Sequence, residues 1–426
     1  MKIAKVLLVL AALCTLFMTT ARADEIADWN RNLFEAARLN VPPTSALAVT
    51  RNAALVQSAV FDAVNGIERR FTPVHVEPAA PDGASKRAAA VQAAYAMLIR
   101  LYPSQTGALT TKRTNSLALI GDSQTSIDLG IAWGQTVADA IWAWRLTDGI
   151  TPVPPSFLGG PNVGQWRPTP PGFSPGAGVQ FSYMTPWVIA SPSQFRPAGP
   201  PALTSALYAA EYNETKTMGS LNSVSRTDDQ TLLSRFWNAS TASAYWNQIA
   251  NSLADKRHFS FSKRARLLAL LNLAVADAGI GCFEAKYTYV FWRPVTAIPL
   301  GDTDGNPDTI EDLSFTTLLT TPNHPEYPSG HSCLSGAAGE MLALIFGKNA
   351  KLTVSSDAPE MAGVVRSYHG FSEILEEIKD ARVFAGIHFR SACNAGQQLG
   401  SGVADYVRAN ALQRVNAADN AEDEEN

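Results

Sequence analysis

Three short segments in the last 150 residues of this 426-residue chain concentrate groups that do chemistry on anions. The first runs from Lys286 to Pro294 and spaces Lys286 and Arg293 seven apart, nearly two turns along one face if a single helix carries both. The second, Pro328-Ser329-Gly330-His331, opens an apolar helical run. Ser329 therefore reads as an N-cap, and Gly330 as a point where a backbone N–H can approach a ligand at the positive end of a helix. The third holds Arg382 and, six residues on, His388. Ideal helix geometry sets these about 120° apart, so they converge only if the long arginine bends back.

Each segment alone has an ordinary explanation, a snorkelling Lys–Arg stripe or a capped helix with a structural histidine. Together they bring Lys286, Arg293, Arg382, the Ser329 hydroxyl and the Gly330 N–H towards one point with His331 and His388. Arginine offers planar two-point hydrogen bonding and lysine a point charge, a set suited to a tetrahedral oxyanion such as phosphate or vanadate. Zinc on His324, His331 and His388 is disfavoured, because three permanent cations repel a metal that wants neutral or anionic ligands.

The elements that must position these groups read as helices. Apolar residues recur at helical spacing over residues 44–69, 85–101, 126–144, 203–217, 227–254 and 262–292, with further helices after Ser329, Ser372 and Gly396. Thr227 and Gln230 form a candidate capping box. Thirteen of the 26 prolines fall in residues 152–201, among Trp166, Phe173, Phe181, Tyr183 and Trp187. Prolines at that density forbid a regular ladder, and the aromatics argue for a long ordered loop walling a cleft rather than a solvated linker. No repeat and no long β-branched alternation occurs, so the expected class is all-α. The expected divisions are a leader at 1–23, an N-terminal helical region at 24–151, the Pro-rich loop at 152–201, a C-terminal helical region with the oxyanion site at 202–412, and an acidic tail at 413–426.

Composition narrows the partners. A net charge of −4 with 17% charged residues lacks the basic surface that nucleic acid requires. Lys2 and Lys5, a short apolar run and Ala21-Arg22-Ala23 read as a secretory signal peptide, giving a secreted or periplasmic protein whose mature form starts at Asp24 and spans no membrane. Cys282, Cys333 and Cys393 remain, an odd number that allows at most one internal disulfide or three buried packing residues. Residues 302–312 faintly resemble a calcium loop, but Gly305 falls at the fourth position rather than the sixth, which favours a solvated turn. His75, His258 and His369 belong to no motif and read as structural.

The three segments resemble the pattern K-x6-R-P, P-S-G-H, S-R-x5-H-x3-D of the type 2 phosphatidic acid phosphatase and vanadium haloperoxidase superfamily. Lys286 to Pro294 and Pro328 to His331 match it in full, and Arg382 and His388 match the third part; Ala381 and Ala392 replace its serine and aspartate. Asp277-Ala-Gly, Phe291-Trp-Arg-Pro294 and His324-Pro-Glu-Tyr-Pro-Ser-Gly-His331 look like the soluble bacterial haloperoxidase branch, as do Trp166 to Pro171. The resemblance implies a helical bundle and a vanadate cofactor bound axially by His388. It implies that His331 moves protons and that Lys286, Arg293, Ser329, Gly330 and Arg382 hold the oxygens. His324 would stand where bromoperoxidases carry histidine and chloroperoxidases an aromatic residue, which points to bromide or iodide oxidised by hydrogen peroxide. The alternative is an exported acid phosphatase that uses no cofactor and cleaves phosphate monoesters through a phosphohistidine; a third is an oxyanion binder without turnover. With alanine at 392, Asp277 and Asn394 are the candidates to orient His388.

Overall fold

A computed structural model describes residues 24–415; the expected leader at 1–23 and positions 416–426 of the expected tail lie outside the described residues. The chain is all-α. Its helices are α1 (Glu25–Leu39), α2 (Ala46–Glu68), α3 (Lys86–Leu101), α4 (Thr106–Ala118), α5 (Gln124–Arg145), α6 (Ala206–Gly219), α7 (Asp228–Ala239), α8 (Ala242–Lys256), α9 (Phe261–Tyr289), α10 (Pro294–Ala297), α11 (Gly330–Phe346), α12 (Phe371–Phe384) and α13 (Arg390–Asn410). Among the described residues there is one antiparallel hairpin, β1 (Leu352–Ser355) with β2 (Val365–Tyr368), between α11 and α12.

Local chemistry explains many of the boundaries. Ser45, Ser85, Ser123 and Thr241 each accept a backbone N–H from the first turn of the helix they open, caps that contribute about 1 kcal/mol apiece. Thr227 and Gln230 do form a reciprocal capping box. The single helix expected over 227–254 is in fact two, because Ser240 is extended (φ −131°, ψ 171°) and Thr241 caps a fresh helix. The last helix begins at Arg390 and runs through Gly396 rather than following it.

Helix α9 is buried nearly all round, with α2, α8, α11 and α13 packed on it. It is long and apolar enough to cross a membrane, yet its apolar stretch is wholly enclosed, as expected of a central core helix. Helices α11 and α13 touch backbone to backbone. A Cβ on Gly400 would lie 2.1 Å from the Cys333 carbonyl oxygen, so only glycine fits there. That contact fixes the first turn of α11 against α13, where Ser329 N donates to Ala392 O at 2.9 Å.

Residues 146–205 form the irregular wall. Arg145 donates to the Thr185 carbonyl at 2.6 Å and lies over the Trp187 ring at 4.1 Å. The Asp277 carboxylate, from the middle of α9, accepts the N–H groups of Trp187, Val188 and Ile189 at 2.7, 2.8 and 3.0 Å. Residues 302–312 are a turn closed by its own side chains: Asp304 Oδ1 accepts from Asn306 N and Thr309 Oγ1, both at 2.8 Å.

Candidate active site

Lys286 and Arg293 do not share a helical face. Helix α9 stops at Val290, which adopts a left-handed conformation (φ 50°, ψ 38°), and Arg293 leaves it in an extended one. The Pro-rich wall makes the bend: Trp166 N donates to Val290 O at 2.7 Å, and Trp292 N donates to Gly164 O at 2.9 Å. The reversal turns both cations inward, and each is fully buried.

Lys286 spends its three N–H donors on the carbonyls of Pro325, Glu326 and Pro328, so in this state it pins the turn ahead of α11 and lends the pocket its charge. Burial lowers its pKa to about 8. Arg293 donates from Nε to His324 O at 2.9 Å and from Nη1 to Ile387 O at 2.8 Å. Its Nη1 also reaches His388 Nε2 at 3.2 Å, and its Nη2 reaches His324 Nδ1 at 3.0 Å.

Ser329 occupies the N-cap position of α11, but its hydroxyl caps nothing; the Oγ is buried without a partner. Around Gly330 a Cβ would meet nothing within 4 Å, which leaves open space at this helix N-terminus. The His331 Nε2 is buried and has no hydrogen-bond partner. His331 also lines a second cleft of about 480 Å³, shared with Asn238 and Thr241 from the break between α7 and α8.

The angular difficulty between Arg382 and His388 does not arise, because α12 ends at Phe384 and Gly386 turns the chain with φ +77°. His388 thus lies beyond the helix. Arg382 is buried, with both terminal nitrogens only 3.4 and 3.5 Å from Asn238 Oδ1 and its Nε unpartnered. His388 Nδ1 lies 2.8 Å from Glu326 Oε1, which also accepts Phe389 N–H at 2.9 Å. Burial, then the neighbouring cations, hold the His388 pKa well below the usual histidine range, so the ring is neutral.

Of these groups, His324, Gly330, His331, Arg382 and His388 line a cavity of about 350 Å³ with Leu47, Phe181 and Phe283, while Lys286, Arg293 and Ser329 lie behind that lining. Asp277 is not among them. Its carboxylate is spent on the 187–189 backbone, which corrects the expectation that it supports the site directly. Asn394 accepts from Lys379 at 3.1 Å instead of orienting His388. The group that does reach His388, Glu326, was not anticipated; it sits inside the His324–His331 segment, and only the fold brings it to a residue 62 positions away. Cys282, Cys333 and Cys393 are buried free thiols with no bridge between them.

Residues 266–417 match the family model of the VCPO second helical-bundle domain. The vanadium chloroperoxidase of Curvularia inaequalis is 26% identical over 278 residues, 50% of this chain and 45% of that protein, so the chain spans under half the length of this curated relative. The crystal structure of a bacterial vanadium-dependent iodoperoxidase superposes with a TM-score of 0.80 at 26% identity, covering 92% of this chain and 98% of that one. The holo form of a bacterial vanadium-dependent chloroperoxidase, at 19% identity, gives 0.71 over 92% and 96%, a likeness of fold.

Proposed function

We propose that the chain is a vanadate-dependent haloperoxidase of the vanadium haloperoxidase and type 2 phosphatidic acid phosphatase superfamily, oxidising iodide or bromide with hydrogen peroxide. One observation carries the reading. Ser329 Oγ, His331 Nε2 and Arg382 Nε are all buried without partners, among the charges of Lys286, Arg293 and Arg382. Buried polar atoms normally find partners, and His331 and Arg382 both line the cavity, so unpaired nitrogens on these two residues beside its cations fit an oxyanion site.

His388 Nε2 would hold the vanadium, and Arg293, Arg382, Ser329 Oγ and Gly330 N–H would hold its oxygens, with Lys286 supplying charge from behind. Bound vanadate would supply the activation of peroxide towards halide. His331 is held neutral by burial and by Arg382, so its Nε2 can take a proton from an incoming peroxide and return it to a departing oxygen. Leu47, Phe181 and Phe283 exclude bulk water and strengthen each charge contact. His324, on the cavity wall and bonded to Arg293, is the residue we assign to halide preference.

One observation favours the phosphatase as a second reading. An oriented histidine nucleophile needs an acid behind it, and Glu326 supplies one, so alanine at 392 no longer weighs against a phosphohistidine. The deciding assay is bromide and iodide oxidation by protein given orthovanadate and peroxide, beside aryl phosphate hydrolysis without vanadate. Halide oxidation that requires vanadate and is suppressed by phosphate is the expected result. Ester hydrolysis with no halide oxidation would move the assignment to the phosphatase. We also propose export through residues 1–23, tested by intact mass of the mature protein, which should begin at Asp24.

A further inference from the structure

We propose that Glu326 is the positioning residue of His388, taking over from the preceding loop the part that the superfamily pattern gives to an acid four residues after this histidine. In this chain that later position is Ala392, fully buried in an apolar cluster with Phe291, Trp292 and Tyr327, so no acid can act from there.

The hydrogen-bond geometry fixes the proton on His388. Arg293 is a donor only, so its Nη1 contact to Nε2 requires the lone pair on that nitrogen. A neutral imidazole then carries its hydrogen on Nδ1, and Glu326 Oε1, 2.8 Å away, is the acceptor that receives it. The same oxygen takes the N–H of Phe389, so the carboxylate grips both the ring and the backbone beside it. Rotating the ring would strand a buried donor and a buried acceptor together, which disfavours it.

Glu326 Oε2 is buried and unpartnered. That oxygen takes no part in holding the ring, so Oε1 alone carries the orientation of His388. The preceding Pro325 and following Pro328 carbonyls are held by Lys286, so the cation that charges the pocket also stiffens the turn carrying the acid.

This inference rests on the reading that His388 Nε2 faces the oxyanion, and its test avoids halide chemistry. The full chain, labelled with nitrogen-15 and free of vanadate, is examined by long-range proton–nitrogen correlation for the His388 tautomer, and inorganic phosphate affinity is measured by calorimetry. Wild type should show hydrogen on Nδ1. Glu326→Gln, whose amide oxygen can accept both N–H groups, should keep that tautomer. Glu326→Ala should populate hydrogen on Nε2 and weaken phosphate binding roughly 10–100-fold, the range for loss of an orienting partner.

A folded Glu326→Ala variant with only the Nδ1–H tautomer and wild-type phosphate affinity overturns the proposal. Should that variant not fold, Glu326→Gln decides: hydrogen on Nε2 there overturns it as well. A wild-type protein with the Nδ1–H tautomer and phosphate binding but no halide oxidation counts against the haloperoxidase reading and leaves Glu326 in place.

Discussion

Arg293 and His388 are hydrogen-bonded to each other, Nη1 to Nε2 at 3.2 Å, across the place where an oxyanion would have to touch both. Binding must therefore part them, and the guanidinium must exchange the imidazole for an anionic oxygen. Arg293→Lys keeps the charge but loses the planar fork that also holds His324 and Ile387. Phosphate affinity should fall roughly 10–100-fold, the equivalent of about 1.5–3 kcal/mol for charged hydrogen bonds. Calorimetry with phosphate reads it, and an unchanged Kd would show that Arg293 serves only the architecture.

The two histidines should fail in different ways. His388→Ala should abolish vanadate-dependent turnover together with vanadate retention. His331→Ala should leave vanadate bound and slow turnover roughly 10²–10⁴-fold, as for loss of a general acid–base group. Equilibrium dialysis beside steady-state rates separates them, and equal loss of binding in both variants would contradict the division of roles.

Oxyanion affinity should fall as pH rises through about 8. Lys286, lowered to about 8 by burial, loses its positive charge above that point, and Glu326, raised to about 8, gains a negative one. His388 and His331 stay neutral throughout, because both lie well below the usual histidine range. Both changes make the pocket less positive in the same direction. A bound anion favours the charged lysine, so the decline is centred somewhat above pH 8. Sulfate, a tetrahedral dianion over the whole range, is a suitable probe, and a flat profile between pH 7 and 9.5 would refute the expectation.

Asp277→Ala should destabilise the fold without touching the anion directly. It strands the N–H groups of Trp187, Val188 and Ile189, at about 1–3 kcal/mol for each donor left buried. The melting temperature should drop, and limited proteolysis should cut first within residues 180–200. A variant with wild-type melting and cleavage would show that the carboxylate does not anchor the wall.

The helical class was readable because long apolar periodicity survives any detail of packing, and of the expected site residues the fold gathers Gly330, His331, Arg382 and His388 at one cavity. What escaped the sequence was conformational. Nothing local announces that Val290 turns left-handed, so one helical face was assumed for Lys286 and Arg293. The break at Ser240 was hidden by apolar residues that continue on both sides of it. Helices α1 and α4 also went unmarked, the latter because Leu109 is its only buried residue and leaves no stripe to detect. Glu326, not Asp277, reaches His388 for a related reason: a carboxylate's partners depend on which distant part of the chain arrives beside it.

The bridge between Gln165 and Phe291 bears on how such a protein can be divided or inherited. The three segments that carry the candidate ligands lie after residue 285, yet the reversal that faces Lys286 and Arg293 inward is templated by backbone groups at Gly164 and Trp166. A fragment starting at residue 202 would possess the whole signature and still lack the mould that shapes it. The same holds for grafting: moving the three motifs onto another bundle transfers the ligands without their convergence, so the heritable unit of this pocket includes a stretch of chain that contributes no ligand to it.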